Sequence, residues 1–296
     1  VRIFETKIQP GSQLADIPLK DLRLPQDVLA GLIFRNNRMI IPHGDDYLLP
    51  NDNTFFVGAS GEIEKFSKHF VGTGIKAPER VMIIGAGRTG RTLASMLDKQ
   101  GVQVKVIEKD AERSRMVAER IEEGIVVRGD GTDIDLLTQE GVGEADVVIC
   151  LTADDKLNLM LALLAKHLGA SRTIVRVARI EYVDLMEKVG VDIVLSSRLL
   201  AAGEILAFAR RGGVVSVALL EGAKAEAMEV IVQKGSYVEN KKLMDLQLPK
   251  ECLICAFVRD DEAFVPTGQS SLQAGDRAIL FIRMEFANKV MKYFAG

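Results

Sequence analysis

Chemistry in a protein needs side chains that move protons, attack carbons or hold metals, or else backbone arranged to grip a charged ligand. The first kind is scarce in this chain. His43, His69 and His167 are scattered, and no H-x-x-x-H spacing or His/Cys/Asp cluster surrounds any of them. Cys252 and Cys255 form a C-x-x-C pair, but inside the apolar run ECLICAFVRD, which reads as a strand. A redox or zinc pair needs a turn or helix start, and zinc needs two more ligands. Three cysteines make no disulfide framework. No residue is therefore assigned a catalytic role, and none a metal.

The second kind is present in VMIIGAGRTG, Val81 to Gly90. Gly85, Gly87 and Gly90 give G-x-G-x-x-G directly after an apolar strand and at the start of a helical pattern. Gly85 permits the tight turn, Gly87 lets the backbone approach a pyrophosphate, and Gly90 lets the helix pack closely, with its N-terminus facing the anion. Glu108 ends the next strand 18 residues after Gly90, where a carboxylate accepts hydrogen bonds from an adenosine ribose diol and disfavours a 2'-phosphate. Arg88 adds a guanidinium that a dinucleotide turn does not need; it suits a more anionic ligand such as ATP, or else points to solvent or pairs with an acid. Three further stretches follow later strands: RGDGTD with Asp130, LTADDKLN with Thr152, Ala153 and Asp154, and TIVRVAR with Arg176. Asp130 reads equally as a helix cap, and Asp154 as a first-turn acid. All fall at the C-terminal ends of strands, the edge where ligands bind in open α/β sheets.

The elements that must position these groups follow from periodicity. Residues 79–212 alternate strand and helix signals in the βαβ manner. Strands are expected at RVMIIG, VQVKVIE, IVVRG, ADVVICLT, RTIVRVA and DIVLS, which makes a doubly wound, Rossmann-type α/β domain. On either side lies a repeat. Residues 1–72 slid by 224 positions lie on residues 225–296 without a gap, with 19 identities, and these fall at turns: DLRLP meets DLQLP, Arg35 meets Arg259, and Asp52 meets Asp276. Shared punctuation implies shared fold. The expected domains are a first α+β lobe at 1–74, the Rossmann domain at 79–212 and a second lobe at 213–296. Each lobe is read as a first strand, a short helix around DLxLP, three more strands and a terminal helix. A duplicated lobe with exposed strand edges is expected to pair or bind a regulator.

Composition fits this picture. The 296 residues are 48% hydrophobic and 27% charged with net charge -3, which gives no basic footprint for nucleic acid. The longest apolar runs, such as LMLALLA, fall short of the roughly 18 residues of a membrane span, and no signal-peptide pattern opens the chain. A cytoplasmic protein is expected, touching the membrane only through a partner.

VMIIGAGRTG, Glu108, GDGTD, LTADD, Arg176 and the DLxLP lobe together resemble the regulator-of-potassium-conductance family, in the form of the nucleotide-binding subunits of bacterial Trk-type potassium uptake systems. The resemblance covers the whole chain. It implies a subunit that binds NAD(H), or ATP or ADP, and biases a ring of like subunits beneath a membrane-embedded potassium transporter. It places Gly85, Ala86, Gly87, Arg88 and Thr89 at the phosphates, Glu108 at the ribose, Thr152 and Ala153 beside the adenosine, and Arg176 also against the ligand. It makes Ser196 to Arg211 a crossover helix joining neighbouring domains. It also implies that the chain corresponds to the second half of a tandem, preceded by the lobe of the first, which an opening on Val1 fits. The alternative reading is an NAD-dependent oxidoreductase in which a lobe forms the substrate pocket. Such an enzyme needs a His, Tyr or Lys relay near the nicotinamide, where the strand ends offer Asp, Thr and Arg.

Overall fold

The computed structural model describes residues 1–25, 27–36, 38–71, 78–210, 213–220 and 223–296. Residues 72–74, expected to close the first lobe, and residues 211–212, expected to end the crossover helix and the Rossmann domain, lie outside these. The chain divides into two compact units, residues 76–200 and residues 1–75 with 201–296.

The first of these is a six-stranded parallel sheet built from β5 (Arg80–Ile84), β6 (Gln103–Glu108), β7 (Ile125–Arg128), β8 (Val147–Cys150), β9 (Thr173–Val177) and β10 (Ile193–Ser196). Their spatial order is β10-β9-β8-β5-β6-β7, so the strand order reverses at β5. Helices α2 (Arg88–Asp98), α3 (Ala111–Ala118), α4 (Ile134–Gln139), α5 (Asp155–His167) and α6 (Val183–Val189) supply the crossovers. Two apolar clusters, one around Met82, Val148 and Leu161 and one around Ile83, Val106 and Ala94, show why β8, and β5 after Arg80, are apolar. Both faces of these strands are covered.

The other unit holds both lobes. The first has β1 (Arg2–Lys7), β2 (Val28–Arg35), β3 (Arg38–Ile40) and β4 (Asn53–Gly58), ordered β1-β4-β2-β3, then α1 (Ser60–Phe66). In the second, β12 (Ala225–Ile231), β13 (Cys252–Arg259), β14 (Glu262–Phe264) and β15 (Arg277–Arg283) take the corresponding places, and α8 (Ala287–Phe294) closes it. The repeat extends to detail. A register shift between Ala30 and Leu32 recurs between Ile254 and Ala256. Arg35 donates to both carboxylate oxygens of Asp52 at 2.9 and 2.7 Å, and Arg259 does the same to Asp276 at 2.8 and 2.6 Å.

The two sheets pack on each other. Leu32, Phe34, Phe55 and Val57 form one apolar cluster with Ala225, Cys255, Ile279 and Phe281. Phe55 meets Phe281 edge-on at 6.1 Å between centroids. Gly31 makes room, because a Cβ there would stand 2.7 Å from the Phe281 ring. This accounts for the apolar runs VLAGLIFR and CLICAFVR, since one face of each strand meets its own lobe's core and the other meets the opposite lobe. Cys255 belongs to that seam, and its thiol donates to Ile279 O at 3.1 Å. Burial pushes the Cys252 thiol up to about 12 and that of Cys255 higher still, which suits buried apolar side chains and not a redox pair.

Two expectations need correction. Asp21 to Pro25 forms a turn and no helix, and in the second lobe only a 3-10 turn, Leu243–Asp245, leads into the matching segment. The proline closing each DLxLP keeps the preceding residue out of helical backbone. The second lobe also has a strand without a counterpart in the repeat, β11 (Val214–Leu220), paired antiparallel to β12. Between the two units' sequences runs α7 (Ser197–Ala209), which begins one residue after the expected Ser196, the last residue of β10. Arg211, its expected end, lies outside the described residues.

Candidate functional site

At the C-terminal edge of the parallel sheet, where the strand order reverses, a cleft of about 400 Å³ opens. The glycine turn forms its floor. Gly85 leaves β5 at φ +103°, a conformation that L side chains rarely adopt, and a Cβ there would stand 3.0 Å from the Leu151 carbonyl carbon and Thr152 N. Gly90 faces inward, where a Cβ would stand 2.0 Å from Gly85 O. At Gly87 a Cβ would meet nothing within 4 Å. Gly87 is also the N-cap of α2 and offers no side-chain cap. By contrast α3, α4 and α5 are capped by Asp110, Asp133 and Asp154. The first-turn N-H groups of α2 are therefore left for a ligand.

Of the residues expected at the site, Gly85, Gly87, Arg88, Thr89, Glu108, Asp130, Thr152, Ala153 and Arg176 line this one cleft. Ala86 and Gly90 do not line it. Ala86 is buried with its N-H turned to Glu108 Oε2 at 2.6 Å, and Gly90 packs behind the turn. The other Glu108 oxygen accepts from Asp110 N at 2.9 Å. The carboxylate thus braces the glycine turn against the exit of β6, and each oxygen retains acceptor capacity for a further donor.

The remaining acids are engaged locally. Asp130 caps no helix; its Oδ1 accepts from Thr132 N at 2.9 Å and Thr132 Oγ1 at 2.8 Å, and α4 is capped by Asp133 instead. Those bonds, the backbone one foremost, hold the Asp130 carboxyl below its ordinary range, with Lys109 assisting. Asp154 is the N-cap of α5, and amide bonds from Leu157 and Lys156 likewise lower its pKa. Arg88 is exposed in the first turn of α2 and has no ion-pair partner among the described residues. Arg176 Nη2 donates to Thr152 O at 3.2 Å, while its Nε is buried without a partner.

Lys109 and Arg113 were not picked out from the sequence, and Gly131, Thr132 and Leu157 only as parts of RGDGTD and LTADDKLN; all five also line the cleft. Lys109 directly follows Glu108, and Arg113 lies in the first turn of α3, so strand-end position was the available signal. The need for glycine at 131 appears only in packing: a Cβ there would stand 2.5 Å from Ile84 Cγ2. The chemistry of the whole is clear. Free helix amides, four cationic side chains, a carboxylate beside the turn and a buried unpaired guanidinium N-H fit a phosphate-bearing ligand that also carries hydroxyl groups. Among the described residues no cluster of three or more His, Cys, Asp or Glu is placed to hold a metal ion. No helix among them is long and apolar enough to cross a membrane.

Two family descriptions cover most of the chain. The TrkA-N domain matches residues 81–197, and the TrkA-C domain matches twice, at residues 3–71 and 227–295. The chain is 36% identical over 99% of its length to the Trk system potassium uptake protein TrkA homolog 2 of Methanosarcina mazei, spanning 66% of that protein. It is 32% identical over 95% of its length to the Trk system potassium uptake protein TrkA of Halomonas elongata, spanning 63% of that one. It is also similar to a solved structure described as the GsuK channel bound to NAD, at 22% identity and TM-score 0.49, covering 99% of this chain and 52% of that one.

Proposed function

This chain belongs to the TrkA family, and from that premise we propose that it is a cytoplasmic regulatory part of a potassium uptake system. It binds NAD(H), ATP or ADP in the cleft, performs no catalysis and passes the ligand state to a membrane-embedded transporter subunit. It works as a homo-oligomer. The observation that carries this reading is the uncapped N-terminus of α2 facing a cleft braced by Glu108, with Arg176 Nε unpaired at the other side.

Within the site, the free amides of α2 and Arg88 would hold phosphate, Glu108 would accept from a ribose hydroxyl, and Thr152, Ala153 and Arg176 would face the remainder of the ligand. A regulator needs no proton relay, and the groups lining the β8 and β9 end are Thr152, Ala153, Asp154 and Arg176. The nucleotide would supply charge and shape, binding one arrangement of subunits better than another; only such differential affinity shifts an equilibrium. Potassium flux through the partner transporter, reconstituted in vesicles with this protein, tests the reading. Flux should change with NAD, NADH, ATP or ADP, and flux indifferent to all four would refute it.

A further inference from the structure

One wholly buried polar side chain beside the cleft has no part in the site as described. Asn158, in the first turns of α5, has no exposed surface. Its Oδ1 accepts from Thr152 N at 2.8 Å and from Thr152 Oγ1 at 2.7 Å. Its Nδ2 donates to Thr152 O at 3.2 Å and to Arg176 O at 3.0 Å. All four bonds end on two residues that line the cleft. Thr152 O in turn accepts from Arg176 Nη2, so Asn158 fixes both the backbone that carries Arg176 and the carbonyl that aims its guanidinium. The outcome of this network is a buried Nε-H with no acceptor. With Nε enclosed and Nη2 tied to Thr152 O, the guanidinium is held in one plane and lines the cleft with its remaining donors.

The sheet order says which part of a ligand that would be. Arg176 is on β9 and Glu108 on β6, three strand steps apart through β8 and β5. At roughly 4.8 Å per step the two strand backbones stand about 14 Å apart, and the Arg176 guanidinium reaches back to Thr152 O beyond the end of β8. A nucleoside monophosphate held by Glu108 and the glycine turn would occupy the β6 and β5 end of the cleft, and a dinucleotide would extend to the β8 and β9 end.

We infer that Asn158 is a positioning residue that presets Arg176 to receive an acceptor group on the half of a dinucleotide beyond its first phosphate, so that it selects for ligand length. This rests on the nucleotide reading above. A merely structural Asn158, stapling α5 to the strand ends, would affect short and long ligands alike.

Calorimetric titration of AMP and of NAD into the full chain, its Asn158→Ala and Arg176→Gln variants and the double variant separates the two. NAD affinity should fall about tenfold in each single variant, the loss expected of one hydrogen bond from a charged donor. The double variant should lose little more, and AMP affinity should stay within about twofold throughout. Equal losses for AMP and NAD in Asn158→Ala, or fully additive losses in the double variant, would overturn the inference. Should Asn158→Ala not fold, Asn158→Ser keeps a polar side chain at that buried position and should show the same selectivity more weakly. A ligand-free readout keeps the test independent of the proposed function. The Arg176 Nε-H resonance should be resolved in the ligand-free wild type and averaged with exposed arginines in Asn158→Ala. An unchanged resonance refutes the positioning role, whereas a wild type that binds neither nucleotide refutes the nucleotide reading.

Discussion

Glu108 shows what a single position can and cannot disclose. Its place at the end of the second strand after a G-x-G-x-x-G was legible, and so was the cleft edge it shares with Asp130, Thr152 and Arg176. Its bond to Ala86 N was not, because that depends on the direction of a backbone amide inside the turn. Glu108→Ala should therefore do two things. It should weaken an adenosine ligand by about 1.5 to 3 kcal/mol, and it should lower the melting temperature by leaving the buried Ala86 amide unpaired. Unaltered affinity with unaltered melting would remove both roles. Arg88 is the complementary case, an exposed cation without an ion-pair partner among the described residues. If it reaches terminal phosphates, Arg88→Ala should cost ATP about 1 to 3 kcal/mol and NAD distinctly less. Equal titration losses for the two would show that it does not discriminate.

At the scale of elements, all six parallel strands were readable, because strands buried on both faces leave continuous apolar runs between helical periods. The lobes were readable through their repeat, and the matched Arg35 with Asp52 and Arg259 with Asp276 turn out to be equivalent ion pairs. What the repeat hid was β11, which has no counterpart in residues 1–72, and the use made of the second apolar face of β2 and β13. That face is the seam between the lobes, and Gly31 and Cys255, equivalent positions in the two copies, both stand on it. No local pattern distinguishes a strand buried by a neighbouring lobe from one buried by its own helix. Phe281 is fully buried in this seam. Phe281→Ala should cost about 3 to 5 kcal/mol, the usual price of an emptied core aromatic, measured by urea unfolding. A loss below about 1 kcal/mol would mean that the lobes hold together without it.

For the whole molecule, the exposed apolar side chains of α7 matter most: Leu200 and Ile205 are 60% and 67% exposed. In the proposed homo-oligomer an exposed apolar helix surface of that kind would be an association site, and light scattering at micromolar concentration should find at least a dimer. A 32.4 kDa particle with and without nucleotide would count against assembly. Family membership and fold support the proposed place in a potassium uptake system, where the cleft would supply the means of control. Everything in that account depends on the cleft holding an adenine nucleotide, and titration calorimetry of the full chain with NAD, NADH, ATP and ADP measures this directly. The account predicts saturable binding of at least one of them at one site per chain, weakened in Glu108→Ala; no heat of binding from any of the four would contradict it.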